Sequence, residues 1–549
     1  MIERFQAVVS WLLGPEPITD KRPGHLWPRW IFLRVLGLIY FSAFYSLLFQ
    51  IKGLIGPNGI LPAQDYLQAV GASSFHAQRF WFAPTLLWFG ASDRALMMLG
   101  WVGIVASILV VVNLWPRASL LICFACFLSF VAAAQDFSGY QSDGMLLEAG
   151  FIALFFAPPG FRPGLGGANP PSRASLFLLQ WEWFRIYFES GVAKLASGDP
   201  AWRHFTAMDD YYQNGPLPTW IGWYVQQLPH WFHASATFYT LLTELVIVWM
   251  LFLPRRFRIV CFCIVTPFEI SIIATANYTF LNYLVLLLGV LLLDDRLLEW
   301  ILPKRIREII DGKGAPDATS ATAEQAASSE TVRPDGTRAM WRRGLTPLRR
   351  AFAGLCLGLV FYATTLQLLW MFVPGLPLPE TPVRALEPFR IANRYGLFAV
   401  MTHGRYEIEF QGSNDGKTWT AYPFRYKPQA IDKAPGIYAP YQPRFEWNLW
   451  FASLGSWRES RFVVWTEERL LKNDPDVLQL FAFNPFPSAP PREIRTILYQ
   501  YWFTDLRTKR INGNWWRREE IGEYAPALER EADGKIAVLD WPTHDEEQP

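Results

Sequence analysis

Nine apolar runs occupy the first two thirds of the chain, each long enough, or nearly so, to cross a bilayer, which takes about 20 helical residues. They lie at 30–51, 95–115, 118–135, 144–159, 175–197, 233–254, 258–276, 279–293 and 351–373. A backbone in hydrocarbon must satisfy its own N–H and C=O groups, and runs of this length do so as helices. With 51% hydrophobic and only 18% charged residues, the chain is not an ordinary soluble composition. The expected fold is an α-helical polytopic membrane domain of about nine spans, followed by a β-rich, sandwich-like extracytoplasmic domain. The 29 mostly polar residues ahead of the first run lack a cleavable-leader pattern, so that run is expected to anchor uncleaved.

Lys and Arg in the connecting loops predict the orientation. With the N-terminus in the cytoplasm, Arg117, Arg162, Arg173, Arg255, Arg256 and Arg258 fall inside, as does the basic stretch 294–350. The opposite side receives 52–94, 135–143, 197–232 and a two-residue turn near Asn277, all poor in Lys and Arg. The expected divisions are a membrane domain over 1–310, a basic disordered cytoplasmic linker at 311–350, a last span at 351–373 and a β-rich domain at 380–549. In that domain Arg405–Gln411 alternates, Asp415–Gly416 marks a hairpin, and Lys417–Tyr426, 460–466 and 493–503 read as strands.

Segment 175–197 carries Glu182, Arg185, Glu189 and Lys194, although each charge in hydrocarbon costs roughly 2.5–3.5 kcal/mol on insertion scales. Glu182, Arg185 and Glu189 stand at 0, +3 and +7, one stripe of a helix, so Arg185 is placed to bridge both carboxylates. This is either an ion-pair cluster that fixes packing or a polar functional site. Lys194 lies on another face near the external end, where snorkelling to the interface is the simpler reading and a desolvated base the other. Glu148, Glu244 and Glu269 are the remaining acids of the spans and Arg34 the remaining base, leaving five acids against three bases. That imbalance predicts a protonated carboxyl or a wet cavity.

Other motifs argue for little chemistry. His230 and His233 have HxxH spacing with His204 in the same loop, but no third ligand is recognisable, and a helix lying in the membrane interface explains the surrounding aromatics better. No metal or cofactor is expected. The five cysteines lie within apolar runs and read as small packing residues. The near-neutral net charge of +2 gives no reason to expect nucleic acid, and GxSxG is absent, so the chain is not itself visibly a lipase.

Five segments in order carry a resemblance: GLIGPNGILPA (Gly53–Ala63), SDGMLLEAGF (Ser142–Phe151), GVAKL…WRHFTAMDDYY…PLP (Gly191–Pro218), NRYGLF (Asn393–Phe398) and YQPRFEWNLWFA (Tyr441–Ala452). Together they resemble the lipase maturation factor family over nearly the whole chain. The resemblance implies a multi-spanning protein that, in eukaryotes, helps secreted lipases fold and assemble in the endoplasmic reticulum, with a lumenal C-terminal domain. It singles out Asp143, Gly144, Trp202, Arg203, Asp209, Tyr212, Pro216 and Pro218 as motif residues. The family usually has histidine where Tyr211 stands and an acid near Gln213. Residues 294–350 look like an insertion, and the lack of external cysteines fits a bacterial-type member of an inner membrane. The membrane half is also similar, more distantly, to the vitamin K-dependent γ-carboxylase group (HTTM-like), in which a lysine in a GVKKL-like context is the catalytic base; Lys194 in GVAKL stands at the matching position.

The resulting expectation is a chaperone-like membrane protein that aids maturation of secreted clients, with membrane lipids and secreted lipases or other extracytoplasmic proteins as partners. Arg444, Trp447, Trp450 and Phe451 are candidates for client contact, and Trp220, Trp223 and Trp231 would hold the client near lipid. Two rivals stand beside it: a membrane enzyme using Lys194 as base on a lipid-soluble substrate, and an ion-coupled transporter using Glu148 or Glu269. No complete catalytic constellation is visible.

Overall fold

The computed structural model describes residues 11–14, 24–73, 76–303 and 336–542. Every expected apolar run falls on helix: α1 (Leu26–Leu48), α2 (Asp93–Val111), α3 (Pro116–Val131), α4 (Gln141–Phe156), α5 (Arg173–Ala196), α7 (His230–Leu245), α8 (Arg255–Thr275), α9 (Leu281–Gly289) and α10 (Gly336–Trp370), with α6 (Ala207–Asn214) in the loop after α5. Five helical stretches are long and apolar enough to span a membrane: Leu26–Leu48, Asp93–Val111, His230–Phe252, Arg255–Thr275 and Leu348–Trp370. Of the other four, α3, α4 and α9 are too short, and α5 has the length but carries the four charges. The first part of the expected linker, 311–335, lies outside the described residues; from Gly336 the chain is helical, so the last helix begins well before 351. The turn near Asn277 spans 276–280 rather than two residues.

Small residues let these helices approach closely. Gly150 of α4 lies against the Tyr40 hydroxyl of α1, which donates to the Leu146 carbonyl at 3.2 Å; any side chain at 150 would occupy the hydroxyl's place. Cys123, Cys126 and Cys261 are buried among the helices and Cys356 is half-buried, but Cys263 is exposed, contrary to the expectation that all five pack inside.

The C-terminal region is one antiparallel sheet with helices against it, not a two-sheet sandwich. Its strands are β1 (Arg405–Ser413), β2 (Thr420–Ala421), β3 (Glu493–Phe503), β4 (Trp516–Glu523), β5 (Ala527–Arg530) and β6 (Ile536–Asp540), in the order β2-β1-β3-β5-β6 with β4 also on β3. The β1–β2 turn at Asp415–Gly416 forms as expected; Gly416 takes φ +67°, which glycine accepts without strain. The return strand is only two residues long. Residues 460–466, read as strand, enter a helix: α12 (Phe462–Leu471) follows α11 (Arg444–Ala452). The hydrophobic run FVVW misleads because Val463, Thr466, Glu467 and Leu470 are buried on one helical face.

The polar face of β1 is buried as well. Glu407 pairs with Arg405 and, at 2.9 Å, with Lys427, while Glu409 meets Arg518 at 3.2 Å. Glu446 of α11 accepts the backbone N–H groups of Arg425, Tyr426 and Lys427 at 2.6–2.9 Å. Burial nevertheless pushes its carboxyl up to about 6.

This region sits on one end of the helical bundle. Asn277, between α8 and α9, accepts from the backbone of Tyr438 (2.6 Å) and Ala439 (3.0 Å) and donates to the Gly436 carbonyl (2.9 Å). Gln50, just beyond α1, donates to the Gln442 carbonyl at 2.8 Å, and Trp223 to the Trp515 carbonyl at 3.1 Å. The contacts fall in or beside the segments expected on a single side: 52–94, 135–143, 197–232 and the Asn277 turn.

Candidate functional site

Helix α5 carries two buried polar centres, on different faces. The first is built around Arg185, which is fully buried. It pairs with Glu148 of α4 and lies 3.8 Å from Glu189 one turn on, so the expected bridge to Glu182 gives way to one between two helices. The helix stripe was read correctly; the partner across the interface was invisible in it. Glu182 faces Glu148, Arg185 and the Ala149 backbone, yet neither of its oxygens accepts a hydrogen bond of good geometry.

The segment after α10 closes this centre. Arg185 donates to the Asn393 carbonyl (2.6 Å); the Asn393 backbone N–H and side chain donate to Glu148 at 2.9 and 3.1 Å. The Tyr395 N–H donates to Glu189 (2.7 Å), its hydroxyl to Glu148 (3.0 Å), and its ring lies 5.2 Å from the Arg185 guanidinium. Residues Asn393–Phe398 were noticed as a motif but not as site residues. Their role rests partly on backbone groups, which leave no mark in residue type, and partly on the Asn393 amide and the Tyr395 hydroxyl.

The second centre surrounds Lys194, which is only 2% exposed and does not snorkel. Its ammonium donates to Glu244 of α7 (2.9 Å) and to the Leu397 carbonyl (2.8 Å), and faces the Trp202 ring at 5.0 Å. One carboxylate, one backbone carbonyl and a ring outweigh the reach of the stem toward water. Nearby, Glu269 of α8 accepts from the Tyr187 hydroxyl and the Asn282 amide, both at 2.6 Å, and forms no ion pair among the described residues. These groups line a cavity of about 420 Å³ walled by Tyr187, Trp202, Tyr211, Phe268 and Phe398. Arg34, the third base of the spans, is elsewhere, against Trp30 on α1.

The motif residues divide between joints and surface. Asp143 pairs with Arg444 at 2.7 Å, and the Gly144 carbonyl accepts from Asn393 at 3.0 Å. Trp202 packs on Lys194, Tyr212 on His233, and Arg203 caps the Leu195 carbonyl at 2.8 Å. Asp209 meets His230 at 3.0 Å, the Pro216 carbonyl accepts from Arg405 at 3.0 Å, and Pro218 forms a bridge with Ala276. Tyr211 lines the cavity, and the Gln213 side chain accepts the Phe503 N–H at 2.9 Å.

Three of the four client-contact candidates are not on the surface. Arg444 is buried on Asp143 and the Phe137 carbonyl, Trp447 packs on Tyr140 and Tyr278, and Trp450 donates to the Asn214 carbonyl at 3.1 Å. They join the two halves. Phe451 is 48% exposed, and of the loop tryptophans Trp231 and Trp220 are exposed while Trp223 is buried.

Both halves match one family. Residues 27–300 match the lipase maturation factor transmembrane domain and 391–526 the lipase maturation factor C-terminal domain. The chain is 31% identical to lipase maturation factor 2 of Gallus gallus, covering 91% of this chain and 81% of that protein. The human lipase maturation factor 2 is likewise 31% identical (91% and 82%), and lipase maturation factor 1 of Bos taurus is 30% identical, covering 95% and 92%. No solved structure matches. A helical membrane half and a sheet half, matched in order by the family's two domains, make this chain an integral membrane protein that belongs to the lipase maturation factor family.

Proposed function

We propose that the protein assists the maturation of secreted client proteins, lipases among them, on the side of the membrane that holds its C-terminal domain. The observation that carries this reading is the match to lipase maturation factors across both halves. The loop charges support a cytoplasmic N-terminus and an extracytoplasmic C-terminal domain, with the last span at 351–373 leading into it. Phe451, Trp220 and Trp231 are the aromatic groups left to touch a client or the lipid beside it. Because Arg444, Trp447 and Trp450 are used between the halves, the client-binding unit is the full chain rather than residues 380–549 alone.

The test is a comparison of secreted proteins from cells with and without the gene, with secreted lipase activity normalised to lipase protein. Loss of specific activity, restored by the full chain, is expected; identical secretomes and activity reject the reading. A Glu519→Cys variant on exposed β4 should react with a membrane-impermeant maleimide in intact cells. Reaction only after lysis would reverse the orientation.

A further inference from the structure

The cavity beside Lys194 has a lining that the ion pairs do not exhaust. At about 420 Å³ it is within the about 300–1,000 Å³ range of small-molecule sites. Most of its wall is aromatic and aliphatic. Three buried polar atoms of lining residues have no hydrogen-bond partner among the described residues: Oε2 of Glu244 and Oδ1 of Asn282, which accept, and Nε1 of Trp202, which donates. Lys194, by contrast, has its donors directed to Glu244, the Leu397 carbonyl and the Trp202 ring.

Its mouth opens between two helices apolar enough to face lipid. Ser235 of α7 and Ser271 of α8 line the cavity and are exposed, so the opening lies between two helices that are each apolar and long enough to span. Phe238 and Ile270, their neighbours, are exposed apolar groups. Ser235 lies five residues from the start of α7 and Ser271 four from the end of α8, roughly 6–8 Å in from the helix ends at 1.5 Å per residue. Further in, the Tyr239 hydroxyl donates to the Ile264 carbonyl at 2.9 Å and bars the gap.

We propose that this cavity takes a single-chain neutral lipid whose head carries hydroxyl donors, of the glycerol mono-ester type, entering sideways from the membrane between α7 and α8. Two hydroxyls answer the two open acceptors, the ester carbonyl answers the open Trp202 Nε1–H, and the chain meets the aromatic wall. A carboxylate or phosphate head would face Glu244 and Glu269 with Lys194 already engaged; an ammonium head would face Lys194 itself. A cavity of about 420 Å³ suits one acyl chain. This inference does not depend on the client reading and stands or falls separately from it.

The test uses the full chain in nanodiscs and a 1-monoacylglycerol carrying a photoreactive diazirine in its chain. Saturable labelling of peptides from 230–245 and 255–275 is expected, displaced by 1-monooleoylglycerol about tenfold better than by oleic acid or oleylamine. A Ser235→Trp/Ser271→Trp variant that elutes and melts as the parent should lose most of the labelling. Labelling that does not saturate, maps elsewhere, or is displaced equally by the acid or the amine overturns the proposal. So does full labelling of the blocked variant. Should that variant not fold, head-group competition on the parent decides alone.

Discussion

The two polar centres of α5 use the same kinds of residue and end differently. Around Arg185 the carboxylates of Glu148 and Glu189 are closed over by Asn393 and Tyr395, and the centre is a joint between the helices and the chain that leads to the sheet. Around Lys194, nine residues on and about 14 Å along the helix, the ion pair lines an open cavity with two acceptors unused. Charge inside a bundle therefore does not by itself mark a site. Glu182 makes the point from the other direction: it too lacks a hydrogen bond, but it is fully buried and is not part of the wall of the cavity beside Lys194.

The largest effect should come from breaking the joint. Arg185→Met leaves Glu148 and Glu189 without their cation, a loss of about 3–5 kcal/mol for a broken buried pair, read as a lower melting temperature and reduced monodisperse yield in detergent. Unchanged melting would mean that the joint is held by something else. Tyr395→Phe removes one hydroxyl from Glu148, a loss of about 1.5–3 kcal/mol for a hydrogen bond to a charged group. Limited trypsin digestion should then cut more readily at Arg390 or Arg394; parental resistance would show that the backbone contacts suffice.

A buried carboxylate that aqueous pH can reach sharpens the comparison. Glu446, in the sheet region, has its carboxyl raised to about 6 by burial. Because the folded value exceeds the unfolded one, the native state holds the proton more tightly. Stability from this group is present at low pH and is lost as pH rises from about 4.5 to 6, by about 2 kcal/mol. Glu446→Gln should remove that slope, so the variant gains on the parent over this window in parallel denaturant melts; a constant difference across pH would contradict it. The smallest effect belongs to the cavity mouth. Ser271→Ala should change stability by less than about 0.5 kcal/mol, as surface substitutions usually do, and a large loss would place Ser271 in a packed contact instead of an opening.

Much of the architecture was legible because it depends on composition over a stretch. Helices at all nine apolar runs, the Asp415–Gly416 turn and the strands read at 405–411 and 493–503 follow from hydrophobic length, alternation and glycine chemistry, the first strand running two residues further, to Ser413. Residues 460–466 were misread because a short apolar run suits either period, and packing under β3 chose the helix. Trp447 and Trp450 were taken for surface because aromatic richness announces burial or binding without saying which.

What the sequence determined alone was the inventory: which stretches must be helical in lipid, which charges enter them, and, through its motifs, which family they build. What only the tertiary structure decided was pairing. Arg185 meets Glu148 rather than Glu182, Lys194 is drawn inward by Glu244, and Arg444 meets Asp143 across 301 residues of chain. Local periodicity sets the face on which a charge emerges, but desolvation makes its partner obligatory, and that partner is chosen by whatever helix or loop the fold lays against it.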